Sequence, residues 1–180
     1  MTIWVALLRG VNVGGKSVLP MNDLARDLED IGCRSVKTYI QSGNAVFSMA
    51  NVKPSELAGR IGKAILDRHG FQPKVQLLRA RELAEAVAAN PFPDAISSPT
   101  SLHLSFLARS PVASKLRSLA SLRAGTESYS VVGKVFYLHA PDGIGRSKLA
   151  AGVEKVLKVD ATSRNWRTVS KLLTMTREIK

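Results

Sequence analysis

Cysteine is nearly missing from this chain of 180 residues; Cys33 stands alone. One thiol excludes an internal disulfide and a cysteine-built metal site, and it reads as a small buried hydrophobe near a helix C-terminus. Histidine is scarce too: His69, His103 and His139 are scattered, with no metal-ligand spacing. No apolar run nears the roughly eighteen residues that a membrane helix needs. The N-terminal run Ile3–Leu8 is too short for a secretion signal and lacks a basic lead. Ser-His-Asp, Cys-His and paired-carboxylate arrangements cannot be drawn from the spacing. The expectation is a cytoplasmic globular protein with no cofactor, no metal, no membrane contact and no disulfide-linked partner.

Acidic residues are the other shortage, 14 against 26 Lys and Arg, for a net charge of +12. The imbalance is lopsided. Residues 1–94 hold 12 basic and 9 acidic side chains, whereas residues 95–180 hold 14 and 5. A basic half attracts phosphates, nucleic acid or acidic partners. Its plainer reading is a solubilising surface.

What the chain does have is a loop, Gly10-Val-Asn-Val-Gly-Gly-Lys16-Ser17, directly behind the apolar run. Letter for letter it fits the phosphate-loop pattern G-x-x-x-x-G-K-[ST]. Pro20 argues against that geometry, because a true phosphate loop runs straight into a helix and Pro is tolerated only in a helix's first turn. Val18 and Leu19 are therefore expected to be extended, with the helix starting at Pro20 or Met21 and running to Ile31. A Walker B carboxylate is also missing; Val135–Asp142 reads as a strand leaving into a turn.

The chain reads as a duplication. Tyr39–Ala50 aligns with Tyr129–Ala140 at a spacing of 90, and Leu57–Ile65 with Leu149–Leu157. Equal register is expected in the two hairpins. Ile3–Arg9 and Leu102–Arg109 match more loosely as strands ending in Arg, each followed by a Pro-started helix, Pro20–Ile31 and Pro111–Leu122. Closing strands are expected at Pro73–Leu78 and Val159–Ser163. The fold class is α+β, a tandem of two ferredoxin-like βαββαβ subdomains with a C-terminal helix. Subdomain boundaries fall at 1–80 and 100–180, joined over 81–99 by a helix (Arg81–Asn90) and a Pro-rich joint (Pro91–Pro99). The last helix carries Trp166, Val169, Leu172, Leu173 and Met175 on one side, capped by Thr162 or Ser163. The acidic group Asp23, Asp27, Glu29 and Asp30 is expected on the first helix's outer face.

Topology then places the Gly10–Ser17 loop beside the Gln41-Ser42-Gly43-Asn44 hairpin. Arg9, Asn12, Lys16, Gln41, Ser42 and Asn44 are candidate ligand-binding residues, with backbone N–H groups of Gly14 and Gly15. Arg9 ends an apolar strand and is expected to be buried or half-buried. Two basic segments add Arg146 and Lys148, with Ser147 as N-cap, and Arg164 and Asn165, beside Trp166. Turn chemistry alone also accounts for Gly14-Gly15 and for Ser42-Gly43-Asn44.

Five segments, Leu7–Lys16, Tyr39–Asn44, Asn90–Pro93, Asp142–Lys148 and Arg164–Val169, occur in that order, and together they resemble the bacterial domain-of-unknown-function 1697 family. That family brings no established activity, substrate or cofactor. Its motifs fall on the loops already singled out and do not require Ser or Thr after the Lys. The functional expectation is binding of a phosphate-bearing or other anionic ligand, a nucleotide or nucleic acid, at the Gly10–Ser17 loop and the basic second half. The alternatives are an enzyme acting on a small anionic metabolite and, behind it, a phosphate-loop NTPase.

Overall fold

The computed structural model describes residues 1–179. The chain is α+β, with two four-stranded antiparallel sheets, each accompanied by helices. Two compact units account for it: Met1–Glu85 together with the segment from Lys171, and Ala86–Ser170.

In the first unit the strands are β1 (Thr2–Arg9), β2 (Arg34–Tyr39), β3 (Asn44–Met49) and β4 (Lys74–Arg79), ordered β2-β3-β1-β4. Helices α1 (Met21–Asp30) and α2 (Pro54–His69) lie between β1 and β2 and between β3 and β4. β1 is central, and Trp4 to Leu8 are all buried, as an apolar run with two covered faces should be. Alternation puts Trp4, Ala6 and Leu8 on the core that Leu24, Leu28, Leu57, Ile61 and Ile65 of the two helices complete. Cys33 is buried there, and burial pushes its thiol up to about 11.

The acidic group on α1 is not all on the outer face. Asp27 is buried and takes Arg68 Nη1 at 2.5 Å and His69 Nε2 at 3.0 Å from α2, while Arg68 Nη2 reaches Asp30 at 2.6 Å. Position 27 lies one helical turn from Leu24, so it shares the face that α2 covers. Its carboxylate needs these α2 partners because a lone buried charge is costly.

After β4 come α3 (Ala80–Ala88) and a 3₁₀ turn at Pro93–Ser97. The second sheet holds β5 (Leu102–Leu107), β6 (Ser128–Val132), β7 (Val135–His139) and β8 (Ala161–Asn165), ordered β6-β7-β5-β8. Its helices are α4 (Ala113–Leu119), followed by a 3₁₀ turn at Ala120–Leu122, and α5 (Lys148–Leu157). Leu107, Phe136, Leu138, Leu149, Val153 and Leu157 form the core between sheet and helices. The last helix, α6 (Trp166–Arg177), follows β8 as α3 follows β4.

The expected hairpin register fails, for a simple reason. Tyr39 closes a four-residue turn opposite Asn44, whereas Tyr129 sits mid-hairpin opposite Leu138, and the second turn has only two residues, Gly133 and Lys134. The spacing of 90 is also one residue short in the second strand. Phe47 stands opposite Trp4 on the helix side, and its counterpart on the helix side of the second sheet is Leu138, opposite His103. Tyr137, which the ungapped alignment pairs with Phe47, points to the other face and donates to Ala86 O at 2.7 Å. A slip of one residue exchanges the two faces of a strand. Helix and cap expectations shift as well: α4 begins at Ala113 rather than Pro111, and Asn165, not Thr162 or Ser163, caps α6 by accepting from Thr168 N at 2.9 Å.

Candidate functional site

The Gly10–Ser17 loop folds as a miniature hairpin. Val13 and Lys16 form an isolated bridge, with Lys16 N donating to Val13 O at 3.2 Å. Between them Gly14 and Gly15 have φ of +60° and +71°, the pair of positive angles that a two-residue turn of the I′ kind demands. One step out, Asn12 N donates to Ser17 O at 3.1 Å. Val18 to Pro20 are irregular, and α1 starts at Met21. Lys16 and Ser17 therefore stand on a turn ahead of the helix, and the loop lacks the geometry of a phosphate loop.

Asn12 holds this loop in place. Its Oδ1 accepts from Leu19 N at 2.8 Å, and its Nδ2 donates to Leu19 O at 2.8 Å and to Gln41 O at 2.7 Å. The first two bonds close the loop on itself. The third fastens it to the β2–β3 turn, Ile40–Gly43. Gly43 completes the joint: Leu8 N donates to its carbonyl at 2.7 Å, its φ is +73°, and a Cβ there would lie 2.6 Å from Val11 Cγ2 and 2.7 Å from Leu8 Cβ. Only glycine fits.

Loop and turn thus meet at one end of the first sheet, bringing together Arg9, Asn12, Gly14, Gly15, Lys16, Gln41, Ser42 and Asn44. Their roles divide. Asn12 uses its amide to build the loop. Asn44 is fully buried, its Nδ2 donating to Tyr39 O at 3.0 Å and Ser42 Oγ at 2.9 Å, so it shapes the turn from inside. Gly14, Gly15, Lys16, Gln41 and Ser42 are exposed. Arg9 is exposed as well, against the expectation of a buried guanidinium. It is the last residue of β1, where the strand has run past the core, and it pairs across the sheet with Lys74. Two cationic residues therefore flank one another at this end.

A cleft of about 320 Å³ opens here, lined by Asn12, Val18, Pro20, Met21, Asn22 and Gln41. It meets the start of α1. Pro20 occupies the N-cap with no side-chain acceptor to offer, and its carbonyl takes the N–H groups of Asp23 and Leu24, both at 3.0 Å. The N–H groups of Met21 and Asn22 have no acceptor among the described residues. They supply the positive end of a ten-residue helix. Neither residue is among the sequence-predicted site residues; the signal for them is Pro20 at the N-cap, a position that usually holds Ser, Thr, Asp or Asn.

The other four expected residues lie in the second unit. Arg146 and Lys148 are exposed around Ser147, whose Oγ caps α5 by accepting from Ala150 N at 3.0 Å. Arg164 is half-buried in β8, donating to Ser163 O at 2.8 Å, and burial pulls its guanidinium down to about 10. Asn165 is taken up as the cap of α6.

The family model described as "Protein of unknown function (DUF1697)" matches residues 1–137. The chain belongs to this family. The match takes in the first loop, the β2–β3 turn and the Asn90–Pro93 segment, and ends before Arg146. A solved structure of a conserved bacterial protein from Streptococcus pneumoniae is similar over 98% of this chain and 99% of that one, with 23% identity and a TM-score of 0.72. That likeness speaks for the fold alone. No curated protein matches the chain. Among the described residues, no helix is long and apolar enough to cross a membrane.

Proposed function

We propose that this protein binds a phosphate-bearing or other anionic ligand, a nucleotide or nucleic acid, in the cleft between the Gly10–Ser17 loop and the β2–β3 turn. The observation that carries this reading is the α1 start: Met21 and Asn22, whose N–H groups have no acceptor among the described residues, line the cleft at the positive end of a helix. Lys16 stands exposed on the same loop as Asn12, which lines the cleft. Gln41 and Asn22 bring neutral amides for orientation. The basic excess of the second half adds long-range attraction for a polyanion.

We also read the two sheets as copies of one ferredoxin-like unit, duplicated in tandem. The shared order supports this: β2-β3-β1-β4 in one sheet and β6-β7-β5-β8 in the other place each strand in the same rank. Corresponding backbone bonds support it too, Leu8 N to Gly43 O at 2.7 Å and Leu107 N to Lys134 O at 2.8 Å.

Titration of the full chain with inorganic phosphate, ATP without magnesium and a short single-stranded RNA, followed by amide chemical shifts, tests the site. The expected result is movement of the Met21 and Asn22 amides with at least one of the three, weakened about tenfold or more by Lys16→Ala. A salt-dependent RNA response would identify the polyanion as the ligand class. Shifts confined to the second unit, or no response to any probe, would overturn the assignment.

A further inference from the structure

We infer that β6 is a docking edge for an extended, acidic polypeptide segment, which would add to the second sheet as a fifth strand. Backbone directions around β7 establish which groups β6 presents outward. Lys134 O bonds Leu107 N at 2.8 Å, and Ala140 N bonds Ser101 O at 2.8 Å, so the even-numbered residues of β7 point their backbone to β5. Val135, Tyr137 and His139 then point to β6, where they meet Val132, Ser130 and Ser128. Tyr129 and Val131 are left with N–H and C=O directed away from the sheet. Neither finds a backbone or side-chain partner among the described residues.

An open edge is a template for strand addition, and proteins blunt it with charge, proline or bulges. The other three edges here are blunted. β2 is broken by an irregularity between Arg34 and Lys37, with Ser35 at φ +52°, and Lys37 is held by Glu178 at 3.0 Å. Lys74 and Arg79 bracket β4, and Arg164 sits in β8. β6 reads Ser-Tyr-Ser-Val-Val, without charge, proline or bulge, in unbroken register with β7. Its side chains suit a partner strand. Tyr129 stacks on Phe136 at 5.8 Å between centroids and Val131 packs on the core, while Val132 is 43% exposed.

Charge selects the occupant. The second unit holds 11 Lys and Arg against 5 Asp and Glu. Exposed Lys134 follows β6 directly in the turn, and Arg123, five residues before the strand, donates to Glu127 O at 3.3 Å, while Thr126 Oγ1 holds exposed Asp142 at 2.6 Å. Glu127, the acid next to the strand, is buried and receives Ala124 N at 2.8 Å. A second copy of this chain, at net +12, would be repelled; an acidic strand is attracted. Main-chain bonds to Tyr129 and Val131 would supply affinity, with charge supplying selection.

The test uses the full chain and two labelled, end-blocked heptapeptides, one alternating Glu with Val and one alternating Lys with Val. Fluorescence anisotropy is expected to report binding of the Glu peptide at least tenfold tighter than the Lys peptide. Val131→Pro removes an outward N–H without touching the β6–β7 ladder, and it should abolish binding. Amide exchange gives a readout independent of that variant's folding: Tyr129 and Val131 should exchange fast in the free chain and slow when the Glu peptide is present, while Ser130 and Val132 stay protected throughout. Binding undiminished in Val131→Pro, equal binding of both peptides, no binding of either, or unchanged Tyr129 and Val131 exchange would each overturn the proposal. So would a dimer in sedimentation that Val131→Pro dissociates, since the edge would then belong to a second copy.

Discussion

Trp4 and His103 hold the same position in the two sheets, and each carries a buried ring nitrogen with no hydrogen-bond partner among the described residues. Trp4 stands between Phe47 and Arg79, and His103 between Leu138 and Asn165. The orphan atoms are Trp4 Nε1 and His103 Nδ1. In the first sheet the indole is covered by the Arg79 guanidinium at 5.4 Å, a cation over a ring face that offsets some of the unmade bond. Among the described residues, no such cation stands over His103.

His103 makes stability depend on pH. Burial lowers its pKa below the ordinary 6.5, against a smaller opposing pull from the Ser101 backbone. Its cross-strand neighbours Leu138 and Asn165 carry no charge. The unfolded chain thus takes up a proton near pH 6.5 while the folded chain still refuses it, so stability falls as pH drops through 6.5 and stops falling below the folded-state pKa. His103→Leu should flatten this decline. Urea unfolding of both proteins between pH 7.5 and 5 measures it as a difference, which cancels the other histidines. A decline of equal slope in the variant would refute the assignment.

Asp27 is expected to be the most sensitive carboxylate in the first unit. Asp27→Ala leaves Arg68 and His69 without their shared partner and opens space between α1 and α2. Asp27→Ala takes the buried charge away, and Arg68, 44% exposed at its side chain, can turn to water, so the cost is chiefly lost hydrogen bonds and packing, about 2 kcal/mol. Arg68→Ala leaves the Asp27 carboxylate buried with His69 alone and should cost more, about 3 kcal/mol. Chemical denaturation of the two variants ranks them. Equal losses would show that the ion pair matters less than α1–α2 packing.

Much of this was legible in the sequence. Apolar runs and Pro positions gave β1, the irregular Val18–Leu19 segment and the start of α1, because local sterics settle those. Strand pairing was harder. Gly43 and Gly133 look equivalent in the sequence, yet one ends a four-residue turn and the other begins a two-residue turn with φ +58°, and turn length sets register. In the sequence α3 and α6 look like a linking helix and a C-terminal helix, yet each follows the last strand of its own sheet. The exposure of Arg9 is not legible in the sequence, because apolar neighbours mark a strand as buried without marking where the core ends along it. The Asp27 network needed α2 to be placed before its partners could be named.

Asn12 should act on stability before it acts on any ligand. Asn12→Ala removes three hydrogen bonds of 2.7–2.8 Å and leaves Leu19 and Gln41 backbone groups to find water. At about 1 kcal/mol for each partly exposed bond, the expected loss is ~2–3 kcal/mol. Asn12→Asp keeps the acceptor and loses both donors, setting a carboxylate against two carbonyls, so it should be no better than Ala. Lys16→Ala should leave stability within about 0.5 kcal/mol, because its exposed side chain carries none of the loop's internal bonds. Thermal unfolding of the three variants separates loop building by Asn12 from the ligand role proposed for Lys16; a Lys16→Ala loss as large as that of Asn12→Ala would erase the distinction.

Ile40 offers the sharpest test of whether this end of the sheet is shaped for use. It opens the β2–β3 turn at φ +46°, where a β-branched side chain is strained, and its side chain is half exposed, so packing does not demand it. Strain of this kind is worth of order 1–2 kcal/mol. Ile40→Asn puts in its place a residue that tolerates the left-handed region, and should raise stability by about 1 kcal/mol in urea unfolding. Ile40→Gly should gain less, since the unfolded chain also becomes freer. If the aliphatic side chain serves recognition beside Gln41, the stabilised Ile40→Asn protein should respond more weakly to the phosphate, ATP or RNA probe that moves Met21 and Asn22 in the wild type. A variant both more stable and equally responsive would assign the strain no part in binding.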